Sequence, residues 1–366
     1  MTGTTVHSGR VELVRLPMRP LINAGGANEI AFLDLVLVTL RGESGEIGEG
    51  LAYTINGVGL GPVALAARDM CDELTADKRP PDVVLATYVK GFLGFYGASG
   101  VALSARAAVE EALWDLDART IDISIARRLG VRSRPLPVYF SGGLWADRSV
   151  DELCATASDA VGLGFRGLKL RLGSDMAVNV ERVRRVREVV GTTPQILVDS
   201  NQRWTRNDAI RMAQMIAEFD IAWFEEPIDH GDHEGEALVR AAIPMPLATG
   251  ETVWGRAGIE QVVAHGAADV VMPDLQRMGG PETIIQVCRS LAQRGQAVSS
   301  HLSHEMNLAL MAGLPNAVSL EYLPWFEPVY AERLRLDEDG NAVVADGPGW
   351  GFTFNRDAVE RFRLET

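Results

Sequence analysis

The 366-residue chain reads as an α/β protein, a closed (β/α) barrel preceded by an α+β domain. Three observations carry that reading. From Pro135 onward, eight short apolar runs alternate with amphipathic segments, the pattern of strands separated by helices. Several of these runs end in a polar cluster: Lys169-Leu170-Arg171, Asp199-Ser200-Asn201, Glu225-Glu226-Pro227 and Gly250-Glu251. The acids Asp199, Glu225 and Glu251 recur every 26 residues, the length of one strand plus one helix. In a barrel the C-terminal ends of successive strands converge on one mouth, where barrel enzymes keep their chemistry.

Along the chain, residues 10–16 alternate in polarity and residues 31–40 are strongly strand-like. The turn Arg41-Gly42-Glu43-Ser44-Gly45-Glu46 then leads into Ile47-Gly48-Glu49-Gly50, so an antiparallel meander opens the chain. Two prolines and a Gly-Gly pair mark the stretch from Pro17 to Gly26 as a loop. Helical spacing follows at 60–76, 82–92 and 99–118, which makes 1–130 an α+β unit. Barrel strands are expected near 136–140, 166–170, 195–199, 221–224, 247–249, 269–272, 297–300 and 317–321. Helical segments such as 174–190 and 280–294 lie between them. The barrel domain is taken as 131–325. Residues 326–366 lack a full eighth helix and are expected to run back onto the first domain.

A net charge of −14 argues against nucleic acid or an anionic membrane as partner. It leaves room for an anionic small molecule, because a bound metal or local cations reverse the potential of one cleft. Cys71, Cys154 and Cys288 are far apart and odd in number, so they read as reduced thiols in or near the core. With no secretory pattern at the N-terminus and no long apolar stretch, a cytoplasmic location is expected.

Three carboxylates meeting at a barrel mouth repel one another unless a hard divalent cation sits among them, and all-oxygen ligation favours Mg2+. Asp199, Glu225 and Glu251 are therefore the expected metal ligands. His301 ends the seventh barrel strand and Asp274 the sixth. A histidine beside a carboxylate is held in one tautomer and made more basic, so this pair suits proton abstraction. Glu321, ending the eighth strand, is the remaining inward acid; to serve as a hydrogen-bond donor or electrophilic partner it would need to be protonated, which an apolar, acid-rich mouth could favour. Lys169 and Arg171, two apart on one strand, share a face and point into the barrel, where they suit a carboxylate or enolate. Trp145 and Trp325, the latter followed by Phe326, come after the first and eighth barrel strands, and either pocket walls or packing would account for them. His230 and His233 are expected at the solvated rim; His304 also follows a barrel strand.

This set resembles the enolase superfamily, and within it the mandelate racemase-like subgroup, whose members pair a lysine or histidine base with Mg2+. The resemblance covers nearly the whole chain. It implies a TIM-like (β/α)7β barrel with an α+β capping domain completed by the C-terminal segment. It also implies that Asn201 is the polar residue of an Asp-x-Asn signature, that Asp274 and His301 form a dyad, and that Glu321 shares the enolate oxygen. Capping loops at about 17–28 and 51–59, carrying Asn23 and Tyr53, would read the far end of the substrate. Homo-oligomers, dimer or octamer, are expected on the same ground.

One position departs from the subgroup, which often carries Lys-x-Lys on the second strand where this chain has Lys169-Leu170-Arg171. Neutralising an arginine at pH 7 costs on the order of 7 kcal/mol, so Arg171 is a poor base. One-base chemistry on a carboxylate, dehydration of an acid sugar, is the leading expectation. A racemase, epimerase or cycloisomerase using Lys169 as second base is the alternative, and a catalytically silent metal-binding protein is a reading from a different class.

Overall fold

The computed structural model describes residues 4–23, 29–130 and 135–365. The first domain is a three-stranded antiparallel sheet of β1 (Val6–Ile22), β2 (Ile30–Gly42) and β3 (Ile47–Ile55), with β2 in the centre. Three helices follow, α1 (Leu60–Ala76), α2 (Pro81–Tyr88) and α3 (Val101–Thr120), then the short α4 (Ile125–Arg128). The sheet extends further than the prolines suggested. Pro17 pairs with Phe32, and because β1 is an edge strand its missing N–H costs the sheet nothing. The expected loop at 17–28 is thus strand as far as Ile22, and its 24–28 portion lies outside the described residues. Most of the expected loop at 51–59 is likewise strand, because β3 continues to Ile55.

Helix α3 is buried along nearly its whole length against β3. Gly48 and Gly50 make that contact possible: a Cβ on either would collide with the backbone of α3 at Ala112 and Ala108. The acids of α3 then satisfy backbone donors that the packing buries. Glu111 accepts from Leu51 N at 3.0 Å, and Asp115 accepts from Glu49 N at 3.0 Å and Trp350 N at 2.9 Å.

Eight parallel strands follow: β4 (Val138–Phe140), β5 (Gly167–Arg171), β6 (Gln195–Asp199), β7 (Ile221–Glu225), β8 (Leu247–Thr249), β9 (Val270–Val271), β10 (Ala297–Ser299) and β11 (Ala317–Tyr322). They pair in chain order, and β11 closes on β4, so the barrel expected from the sequence is present. Between them lie α5 (Val150–Gly162), α6 (Met176–Val190), α7 (Arg206–Ile216), α8 (His233–Ala242), α9 (Gly255–Ala264), α10 (Pro281–Ala292) and α11 (His304–Ala312). Among the described residues no barrel helix directly follows β11. The chain returns to the first domain instead: Arg15 N donates to Phe362 O, Leu364 N to Leu13 O, and Phe354 N to Glu49 Oε2. Inside the barrel Tyr139, Leu197, Trp223, Val270 and Met272 form an apolar plug, which leaves the C-terminal mouth as the polar end. All three cysteines are free and buried, and among the described residues no helix is long and apolar enough to cross a membrane.

Candidate active site

Strand register builds the site. Arg171 pairs with Asp199, and Asp199 with Glu225, so parallel pairing sets the ends of β5, β6 and β7 side by side. Alternation points Lys169 and Arg171 to the same inner face. Gly250, at φ +122°, turns the chain out of β8 and presents Glu251 beside them. An isolated parallel bridge joins Asp274 to His301 just beyond β9 and β10, bringing the dyad to the same level.

Asp199, Glu225 and Glu251 are all buried, with carboxylate oxygens within 4.8 Å of one another. The protein's own cations crowd this cluster. Lys169 Nζ lies 2.7 Å from Glu225 Oε1, 2.6 Å from Glu321 Oε1 and 3.6 Å from Asp199 Oδ2, while Arg171 Nη1 pairs with Asp199 Oδ2. Trp223 Nε1 donates to Glu225 Oε2 at 3.1 Å. Burial, opposed by Lys169 but reinforced by Asp199 and Glu251, still drives the Glu225 pKa well above its usual range. The cluster therefore has more negative charge than its cations balance. A donor set of three carboxylates without sulfur or imidazole fits Mg2+.

On the far side of Glu251 stands the histidine. His301 Nδ1 is 2.6 Å from Asp274 Oδ2, and His301 Nε2 is 3.5 Å from Glu251 Oε2. Burial disfavours the imidazolium, yet Glu251 and Asp274 outweigh it and raise the His301 pKa. Asp274 itself is fixed by Arg277 N, which donates to Oδ1 at 2.7 Å. With Nδ1 committed to Asp274, Nε2 is the nitrogen left to exchange a proton at the mouth.

Family models match both parts of the chain. Residues 10–130 match the mandelate racemase/muconate lactonizing enzyme N-terminal domain, and residues 152–358 match the enolase C-terminal domain-like family. The chain belongs to the mandelate racemase/muconate lactonizing enzyme family of the enolase superfamily. It is 30% identical over 98% of its length to the L-talarate/galactarate dehydratase of Salmonella typhimurium, covering 91% of that protein. The crystal structure of that dehydratase with Mg and L-lyxarohydroxamate superposes with a TM-score of 0.93 at 28% identity, covering 100% of this chain and 94% of that one. The 3,6-anhydro-alpha-L-galactonate cycloisomerase of Streptomyces coelicolor is 26% identical over 97% of this chain and 98% of its own. This member of the family is accordingly an enolase-superfamily enzyme with a Mg2+ site.

Not every expected residue stands as foreseen. Glu321 is drawn towards its ionised form. Burial would raise its pKa, but Lys169, His301 and Arg171 hold it down at about 2, and it accepts from Leu302 N at 2.8 Å. Asn201 sits at φ +46° and contributes its backbone amide, 2.7 Å from Asp199 Oδ1. Tyr53 is buried behind the dyad, its hydroxyl 3.3 Å from Asp274 Oδ2. Asn23 lines a separate cavity of about 270 Å3 with Asp147, Ser174, Asn179, Arg182 and Arg203, none of them metal-site or dyad residues. Trp145 and Trp325 stack on each other at 6.2 Å, and the Arg171 guanidinium lies 5.7 Å from the Trp145 ring centre. The stacked pair thus braces Arg171.

His230 and His233 are half-buried rather than solvated; their Nδ1 atoms lie 2.7 Å from Gln202 Oε1 and 3.1 Å from Glu236 Oε2. Sequence reasoning passed over Glu226. It is fully buried behind Glu225, accepts from Gln202 Nε2 at 2.7 Å, and is pushed up to about 8 by burial and then by Glu251. The doubled acid of Glu225-Glu226-Pro227 was the available signal.

Proposed function

We propose that the protein is a Mg2+-dependent acid-sugar dehydratase. The observation that carries this reading is a single histidine–aspartate base on one side of the metal site and an arginine, Arg171, on the other. Asp199, Glu225 and Glu251 would hold the metal. The chemistry supplied by Mg2+ when bound is stabilisation of the charge that builds on the substrate carboxylate.

His301 Nε2 takes the proton from the α-carbon, whose C–H electron pair moves towards the carboxylate to give an enediolate. Lys169, held as an ammonium by Glu225 and Glu321 despite its burial, binds the same carboxylate. Arg171 stays cationic and holds the enediolate or a more distant hydroxyl. The electron pair then returns, the β-carbon–oxygen bond breaks, and the His301 imidazolium gives its proton to the departing hydroxyl as water. Tautomerisation of the enol leaves a 2-keto-3-deoxy acid. Elimination needs one base, whereas inversion at the α-carbon needs an acid on the opposite face, and Arg171 is unsuited to that. Similarity to a dehydratase across nearly the whole chain supports the same class of substrate.

The test is a library of mono- and diacid sugars incubated with Mg2+ in D2O. The reading expects 2-keto acid formation from at least one member. Deuterium entering the α-position with inversion, and no keto acid, would overturn it in favour of epimerisation.

A further inference from the structure

Tyr53 belongs to β3 of the first domain, yet its polar atoms are spent on the barrel. Its backbone N donates to Gln276 Oε1 at 2.7 Å, and its carbonyl accepts from Gln276 Nε2 at 3.2 Å. Its hydroxyl donates to Asp274 Oδ2 at 3.3 Å. The ring packs 5.3 Å from that of Phe326, in the segment that returns from the barrel, and Phe326 is fully buried. One residue thus ties the sheet to the turn after β9 at two points and to the C-terminal segment at a third.

The Asp274 carboxylate is consequently engaged on both oxygens. Oδ1 accepts from Arg277 N at 2.7 Å; Oδ2 accepts from His301 Nδ1 at 2.6 Å and from Tyr53. A carboxylate oxygen has two acceptor directions, so the tyrosine fills the one that His301 leaves open. Without that hydroxyl the carboxylate keeps Arg277 N and His301 Nδ1 but loses its third restraint, and the imidazole it orients is held less firmly. A base must be held close to its productive geometry, and groups behind it commonly do the holding.

We propose that Tyr53 is a positioning residue: its hydroxyl locks the Asp274 carboxylate, and through it the direction of His301 Nε2, from the capping domain rather than by touching substrate. This rests on the reading of His301 as the base. It replaces the role in substrate recognition expected from the sequence.

Tyr53→Phe keeps the ring against Phe326 and removes only the hydroxyl. In the Mg2+-loaded enzyme, kcat is expected to fall about tenfold, the worth of roughly one hydrogen bond, with KM changed less than about twofold. The His301 Nδ1 proton, observed as a low-field 1H NMR resonance and assigned by its loss in His301→Asn, is expected to shift upfield in Tyr53→Phe. A resonance that does not move overturns the proposal whatever the rates do. A rise in KM at unchanged kcat overturns it as well, because that marks a substrate contact. The resonance needs no substrate, so this test stands apart from the dehydratase reading. Wild-type turnover in His301→Asn would sink the reading of His301 as the base without moving the NMR result.

Discussion

The Lys169 ammonium lies 2.6 Å from Glu321 Oε1 and 2.7 Å from Glu225 Oε1, with all three side chains inaccessible to solvent. One cation therefore bridges two buried carboxylates on opposite sides of the barrel mouth. Removing one partner of such a cluster strands the others, which costs about 3–5 kcal/mol, far more than an exposed pair. Lys169→Met is expected to lower stability by that amount in urea unfolding without Mg2+, and adding Mg2+ should recover part of the loss. A midpoint unchanged from wild type would show that the lysine is not the counter-charge.

Metal binding should be coupled to protons. Glu225 lies well above its usual range because of burial and its acidic neighbours, and His301 is raised through Glu251 and Asp274 in spite of burial. Ligands must be ionised to bind Mg2+, and the cation repels a proton on the nearby imidazole, so binding releases protons. Apparent affinity is expected to climb with rising pH and to fall on acidification, read by calorimetry in buffers of differing ionisation enthalpy. A flat profile with no net proton release would contradict the electrostatics described.

Stability should respond to acid through a different histidine. His304 is fully buried, and burial drives its pKa from the ordinary 6.5 down to about 3. The unfolded chain therefore takes up that proton first. The neutral histidine's contribution is complete above pH 6.5 and drains away as pH falls through that value towards 3. Aromatic neighbours Tyr322 and Phe352 suit a phenylalanine there. His304→Phe is expected to lose about 2 kcal/mol less than wild type between pH 7 and pH 5. Identical losses in the two proteins would remove His304 as the cause.

The contact between the first domain's sheet and α3 has its own test. A Cβ on Gly50 would overlap the carbonyl oxygen of Ala108 and the nitrogen of Ala112, both backbone atoms that cannot rotate away. Gly50→Ala is expected to cost about 3 kcal/mol or more, as overpacking against rigid groups does. A stable Gly50→Ala protein would mean that the helix can slide.

What the chain revealed of itself follows from how far each residue's role depends on local pattern. Asp199, Glu225 and Glu251 were legible because Asp199 and Glu225 end strands and Glu251 closely follows one, and the length of a strand plus helix is printed in their spacing. His301 and Asp274 were legible because each also closely follows a strand. Pro17 misled because the rule that proline breaks a strand fails at an edge, and edge position is a property of the assembled sheet. Tyr53 misled because β3 runs on through it to Ile55, so its hydroxyl meets Asp274 across a domain contact that no local pattern encodes. The contact of Lys169 with Glu321 was not legible, because it forms only when β5 and β11 meet across the closed barrel.

In the proposed mechanism His301, and no second base, takes the α-proton. The most direct measurement compares His301→Asn with wild type on whichever acid sugar the library yields, following 2-keto acid formation and deuterium exchange at the α-carbon in D2O. The prediction is a loss of both by about a hundredfold to ten-thousandfold, the usual worth of a general base, with Mg2+ affinity nearly unchanged. Exchange persisting at the wild-type rate in His301→Asn would mean that another group removes the proton, and the one-base mechanism would be wrong.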